Sequence, residues 1–289
     1  MPAQRVSVSR ARLDEAVRAV TPEGHMATVK GESRFESDAS RYAAYLDTPE
    51  GRLRADLSFA NVQDFLPARP DVNSLRALDL GCGTAAASIR LARLGIHVTA
   101  VDSSAAMLDV AERGSAEAGV HDRIGLQQGD AVDLTNICTA RSFDIVLCHN
   151  LLEYVDEPGV VLRGAASVLR GPSAILSVLV RNQAGEVLKA ALRAGDLAAA
   201  EQSLDAEWGQ ESLYGGRVRL FTPEAVDALL KDASLTIAAR RGVRTIADYL
   251  PERISRAAEY ERTFALERRM GSREEFLGIA RYMQYLARL

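Results

Sequence analysis

From about Leu75 to Val180, short apolar runs alternate with helix-length amphipathic stretches, and this constrains the chain more than any other feature. Strands are predicted at Arg76–Leu80 (RALDL), His97–Asp102 (HVTAVD), Ile124–Gln128 (IGLQQ), Phe143–Cys148 (FDIVLC) and Ala174–Val180 (AILSVLV). Helical patterns occupy Ala85–Leu94, Ser104–Ala118 and Pro158–Leu169, and with a further helix expected between the third and fourth strands the order reads β-α-β-α-β-α-β-α-β. Apolar runs too continuous for a one-sided sheet, separated by helical segments, predict an α/β fold: a doubly wound parallel sheet covered on both faces. Ser103 or Ser104 can cap the second helix, and Gly171-Pro172 stops the fourth.

The first strand runs into Gly81-Cys82-Gly83, a turn that lets backbone N–H groups approach a ligand closely. A dinucleotide fingerprint G-x-G-x-x-G would place a third glycine at Ala86. Asp79, two residues before the first glycine, discriminates better: its carboxylate would repel a pyrophosphate but attract a cofactor bearing an amino group. S-adenosylmethionine carries both an ammonium and a sulfonium. Asp102, beside Ser103 at the end of the second strand, can take both hydroxyls of a ribose. Asp130 with Ala131 follows the third strand and suits an adenine amino group; His149-Asn150 follows the fourth. These features fall after successive strands, in the order one adenosyl ligand would meet them.

The flanks read differently. Residues 1–69 form a helical and polar extension with a compact cluster, YAAYLDTPEGRLR, at Tyr42–Arg54; it is expected to contribute to the cofactor and substrate site. The core domain then spans 70–289, interrupted by an alanine-rich, charged, helical cap at about 183–222 that suits a lid. A helix at Pro223–Asp232 capped by Thr222, a strand near Leu235–Arg240 and a last strand near Arg281–Ala287 complete the pattern. Apolar content of 47% and charged content of 26% are those of a globular chain with no membrane span. The N-terminus lacks a secretory pattern, which suggests the cytoplasm. Cys82, Cys138 and Cys148 form no CxxC pair, and no cluster has metal-ligand spacing, so no metal is expected. A net charge of −4 gives no global basic field for nucleic acid, though Arg240–Leu289 holds eleven arginines against seven acids.

ALDLGCGTAAAS, VTAVD, GDAVDL and FDIVLCHNLLEYV resemble the motifs of class I S-adenosylmethionine-dependent methyltransferases. That resemblance implies a mostly parallel, Rossmann-like sheet of seven strands, the last antiparallel. Beyond the core, YLDTPEGRLRADL, CHNLLEYVDEPGVVL, GVRTIADYLPE and LERRMGSREEFLGIARYMQYLAR resemble the tRNA 5-carboxymethoxyuridine methyltransferase family. The resemblance puts Arg54 on the cofactor carboxylate and His149 in cofactor contact. Residues 1–34 have no counterpart, and Gln183–Thr222 departs from the tRNA enzyme.

Methyl transfer from a sulfonium needs alignment and desolvation more than covalent help. A carboxylate acceptor needs a positioning cation, for which Arg181, Arg217, Arg219, Arg241 and Arg244 are candidates; a hydroxyl or amine acceptor would make His149 the catalytic base. Tyr42, Tyr45 and Tyr249 can wall the methyl pocket. The partner is a tRNA or, alternatively, a small metabolite; a third reading is a non-catalytic adenosyl-binding module.

Overall fold

The computed structural model describes residues 32–67, 72–211, 215–251 and 254–289. The expectation for residues 1–34 thus falls almost wholly outside the described residues. The chain runs α1 (Glu32–Asp47), α2 (Pro49–Gln63), β1 (Arg76–Leu80), α3 (Ala86–Arg93), β2 (His97–Asp102), α4 (Ala105–Glu117), β3 (Ile124–Gln128), α5 (Leu134–Ile137), β4 (Ile145–His149), α6 (Pro158–Val168) and β5 (Ile175–Arg181). It continues through α7 (Gln183–Leu188), α8 (Leu197–Ser203), β6 (Trp208–Gln210), β7 (Arg217–Arg219), α9 (Pro223–Asp232), β8 (Thr236–Val243), α10 (Tyr260–Gly271), α11 (Glu274–Leu277) and β9 (Tyr282–Arg288).

Seven strands form one sheet in the order β3-β2-β1-β4-β5-β9-β8. β1 to β5 are parallel, and β9 lies antiparallel between β5 and β8. Side chains alternate across the sheet with period two. Ala77, Ile145, Leu147 and Ile175 face a core shared with Val62 of α2 and Leu91 of α3. Leu78, Val146, Cys148 and Leu176 face the opposite core, against Leu162 of α6 and Leu230 of α9. By this parity Asp79, His149 and Ser177 fall on the α2 side, where a ligand bound at the ends of β1 and β4 must lie.

Local chemistry sets the helix starts. Ser104, not Ser103, caps α4, its Oγ accepting from the Met107 N–H at 3.2 Å. Thr48 and Thr222 cap α2 and α9 in the same way, each followed by a proline that suits the first helical position. The N–H of Gly51 donates to Thr48 Oγ1 at 3.1 Å, and its α-carbon lies so close to α1 that a β-carbon there would stand 2.0 Å from the Tyr45 carbonyl oxygen. Backbone cannot yield as a side chain does. Gly51→Ala is therefore expected to cost about 3 kcal/mol, at the upper end of overpacking penalties, read as a lowered urea midpoint; an unchanged midpoint would contradict the close approach.

Three expectations are corrected. The strand predicted at Phe143–Cys148 begins at Ile145, because Asp144 turns its carboxylate to the Arg76 N–H (3.0 Å) and to Arg170 (2.7 Å), leaving Phe143 in an isolated bridge to Leu169. Between β3 and β4 the expected helix is a 3-10 turn at Ala131–Asp133 followed by the single turn of α5. The cap is helical only as far as Ser203; Trp208–Gln210 and Arg217–Arg219 pair as an antiparallel hairpin, with Arg217 and Arg219 stacked on Trp208 at 4.6 and 4.8 Å. Helices α10 and α11 had no predicted counterpart. Glu267 of α10 is fully buried and accepts from the N–H groups of Thr245, Ile246 and Ala247 at 2.6–2.9 Å, which pins the loop after β8. Among the described residues no helix is long and apolar enough to cross a membrane.

Candidate functional site

The turn after β1 takes left-handed backbone at Gly81 (φ +63°), Gly83 (+53°) and Ala85 (+57°) before α3 begins. A β-carbon on Gly81 would stand 2.8 Å from Leu151 Cδ1, so the first glycine is demanded by both conformation and space. Asp102 ties this turn to the end of β2, its two oxygens accepting from the N–H groups of Gly83 (2.7 Å) and Ser104 (3.0 Å). Ser103 sits beside it, half-buried, its carbonyl accepting from Gln128 Nε2 at 3.0 Å.

Asp79 is 3% exposed and accepts from the Ser88 hydroxyl at 2.7 Å. Burial raises its pKa to about 6; the Ser88 hydrogen bond opposes the rise and the charge of Asp102 adds to it. A carboxylate so placed gains from any cation brought beside it. Cys82 is buried in the same wall, and burial pushes its thiol up, so it offers no thiolate near neutrality.

Arg54 of α2 and Tyr42 of α1 close a cavity whose other walls include Asp79, Gly81, Cys82 and His149. Arg54 is buried, donates to the Tyr42 hydroxyl at 2.9 Å, and stands 5.1–5.8 Å from the ring centres of Tyr42, Tyr45 and Tyr282. Burial opposes its charge, but the three phenols outweigh that and hold the guanidinium protonated. Among the described residues no carboxylate pairs with it. His149 Nε2 lies 2.8 Å from Ser177 Oγ; burial first, and then the charge of Arg54, lower the imidazole pKa to about 3. The ring is neutral at physiological pH.

Not every sequence candidate reaches this cavity. Asp130 is exposed at the end of β3, accepting from the Val132 N–H at 3.0 Å, with Ala131 buried behind it. Both stand apart from the cavity wall, at the strand-end position expected beyond β2. Arg181 and Arg244, legible in the sequence only as arginines, are buried and already paired: Arg181 with Glu211 and with Glu186 (3.2 Å), Arg244 with Asp248. Arg244 also donates to the Tyr45 hydroxyl at 3.0 Å. Tyr249 is turned to the cap, donating to the Gly185 carbonyl at 3.4 Å. Arg241 stacks on Phe65 at 5.4 Å, and Arg217 and Arg219 belong to the hairpin, so these three do not join the group.

Sequence reasoning missed Tyr282 and Arg281. Arg54, Arg244 and Arg281 stand 5.6–5.8 Å from the Tyr282 ring centre, and Arg281 pairs with Glu186 at 2.6 Å. Burial raises the Tyr282 pKa, but Arg181, Arg54, Arg244 and Arg281 together overcome it and bring the phenol down to about 8. The only signal in the sequence is a strand, YMQYLAR, with polar groups at positions where its neighbours are apolar.

The methyltransferase domain family matches residues 71–233. The tRNA 5-carboxymethoxyuridine methyltransferase of Escherichia coli is 28% identical over 261 residues, 88% of this chain and 95% of that protein. The ubiquinone biosynthesis O-methyltransferase of Xanthomonas axonopodis is 36% identical over 126 residues, 43% of this chain and 52% of that protein. Among solved structures, a possible histamine N-methyltransferase from Thermotoga maritima superposes with a TM-score of 0.60 at 16% identity, covering 89% of this chain and 99% of that one. Magnesium protoporphyrin IX methyltransferase from Synechocystis, with bound S-adenosylmethionine, gives 0.59 at 15% identity over 92% and 99%. With the seven-stranded sheet and the motif turn in place, the chain belongs to the methyltransferase domain family and is an S-adenosylmethionine-dependent methyltransferase.

Proposed function

We propose that the methyl acceptor is a carboxylate, of the kind carried by 5-carboxymethoxyuridine in tRNA. The observation that carries this reading is the group of four buried guanidiniums, Arg54, Arg181, Arg244 and Arg281, gathered around the Tyr282 phenol beside the cavity. Three carboxylates, Glu186, Glu211 and Asp248, pair with Arg181, Arg244, Arg281 and Lys189, so the group keeps one positive charge in excess even with Arg54 set aside for the cofactor carboxylate. The extent of the likeness supports the same acceptor: similarity to the tRNA enzyme extends over 95% of that protein, whereas similarity to the ubiquinone enzyme covers about half its length.

The residues present fit the cofactor. Asp79 is a buried carboxylate that gains from an ammonium, and Arg54 is a buried cation suited to pair a carboxylate through its fork. Asp102, a carboxylate at the end of β2, is assigned to the ribose hydroxyls and Asp130 with Ala131 to the adenine edge, and the turn Gly81-Cys82-Gly83 offers backbone without side-chain obstruction. When bound, S-adenosylmethionine supplies an electrophilic methyl group on a sulfonium. Tyr42, Tyr45 and Arg54 cover that end and exclude water; Tyr45 and Arg244 offer donors to an incoming carboxylate, which is deprotonated at neutral pH and needs no base. The cap, 183–222, and the extension before β1 shape the acceptor side.

Incubation with methyl-tritiated cofactor and fractionated cell extract tests the reading. Label is expected in the tRNA fraction and to be lost on mild alkaline hydrolysis, as a methyl ester is. Label confined to small molecules overturns it in favour of a metabolite acceptor, and cofactor binding without transfer to any fraction would leave only an adenosyl-binding module.

A further inference from the structure

A file of polar side chains crosses the protein from its surface to His149. Arg268 Nη1 of α10 donates to Asn61 Oδ1 (3.3 Å), Asn61 Nδ2 of α2 donates to Gln284 Oε1 (2.9 Å), and Gln284 Nε2 of β9 donates to Ser177 Oγ (2.9 Å). Ser177 Oγ of β5 then lies 2.8 Å from His149 Nε2 of β4. Asn61 is 4% exposed, and Ser177 and Gln284 are fully buried.

The direction of every bond in this file is forced. A guanidinium can only donate, so Asn61 presents its oxygen to Arg268 and its amide nitrogen to Gln284. A carbonyl can only accept, and Gln284 Nε2 also donates to the Ser58 carbonyl at 2.9 Å, which orients the second amide the same way. Ser177 therefore already accepts one proton. Among the described residues, His149 Nε2 is the one acceptor within reach of its own hydroxyl proton. In the opposite arrangement Ser177 would accept twice and leave a fully buried O–H with no partner, which interiors avoid.

We infer that Arg268, Asn61, Gln284 and Ser177 form a one-way hydrogen-bond relay that fixes His149 as the Nδ1–H tautomer, making it a hydrogen-bond donor to the cavity it lines. A neutral imidazole whose Nε2 accepts must carry its proton on Nδ1. This replaces the role of base with that of a donor to an anionic oxygen. Ser177, Gln284 and Asn61 are positioning residues that act through the ring. The relay stands independently of the acceptor; only the naming of the oxygen that His149 meets, a carboxylate oxygen, rests on the proposed function.

Long-range 1H–15N correlation spectra of the full-length protein, labelled in its four histidines, read the tautomer directly, with His149 assigned by its loss in His149→Gln. The expected spectrum has protonated Nδ1 and unprotonated Nε2. Ser177→Ala is expected to release the ring to the Nε2–H form or a mixture and to slow methyl transfer about tenfold, the worth of one hydrogen bond. Ser177→Thr, which keeps the hydroxyl, is expected to restore both. An Nε2–H ring in the unaltered protein overturns the relay, as does an unchanged tautomer in folded Ser177→Ala. An Nδ1–H ring in a protein that methylates no tRNA supports the relay and overturns the acceptor instead.

Discussion

Asp79→Asn is expected to weaken S-adenosylmethionine binding by two to three orders of magnitude while making the cofactor-free protein more stable. The two effects share one cause. Asp79 is buried with a single hydroxyl partner, and burial holds its pKa at about 6. The folded value lies above the roughly 3.9 of an unfolded aspartate, so the fold binds this proton more tightly than the unfolded chain does. Above pH 6 the charged carboxylate therefore destabilises the free protein, by about 3 kcal/mol at the usual conversion, and the penalty fades between pH 6 and 4. Asn removes the charge and still accepts from Ser88. The melting temperature of the variant should rise by roughly 5 °C or more at pH 7 and by nothing at pH 4. Binding moves the other way, because removing one member of a buried ion pair costs about 3–5 kcal/mol. Calorimetry at pH 7 checks the affinity; an unchanged dissociation constant would remove Asp79 from the site. In the unaltered protein, affinity should fall as pH drops below about 6, where a proton competes with the cofactor ammonium.

Arg54→Ala and Arg181→Ala are expected to fail in opposite ways. Arg54 is caged by phenols with no carboxylate partner among the described residues, so its removal strands no buried charge. Folding should suffer modestly, through lost packing, while cofactor affinity falls by about a hundredfold or more, as for loss of a charge-assisted, two-pronged contact. Arg181 instead pairs with Glu211 and Glu186 in a buried network; its removal leaves Glu186 with Arg281 but takes from the buried Glu211 the guanidinium that pairs with it. The expected cost is about 3–5 kcal/mol of stability, seen as an early denaturant midpoint, with cofactor affinity in the surviving folded fraction little changed. Equal stability losses in the two variants would contradict the difference in their surroundings.

The parts of this architecture legible in the sequence are those fixed by near neighbours. β1, β2 and β3 begin and end where their apolar runs do, and α9 starts where Thr222-Pro223 places it. The turn after β1 could be read because its chemistry is contiguous: Asp79, Gly81 and Gly83 lie within five residues. The hairpin after α8 was hidden by an alanine-rich context, although Gly215 and Gly216, at φ +72° and +88°, mark its turn. The surroundings of Tyr282 and Gln284 could not be read at all. Gln284 meets Ser177 across 107 residues of sequence and Asn61 across 223. A polar residue in the last strand looks like any other until the sheet places it against β5. Arg181 and Arg244 illustrate the same limit, since a list of arginines carries no information about which ones find a carboxylate.

The position of β9 has a consequence for the order in which the protein is made. The five parallel strands are complete once Arg181 has been synthesised, but the strand that covers the outer edge of β5 begins at Tyr282, about a hundred residues later. At translation rates of roughly 5–20 residues per second, β5 stands for some 5–20 s with one hydrogen-bonding edge bare. All seven of its residues are buried in the finished protein, so the nascent chain meanwhile presents a sticky strand to its neighbours on the polysome. Chaperone demand should therefore peak during translation of residues 182–288, and the arginine-lined side of the active site can form only when that stretch has left the ribosome.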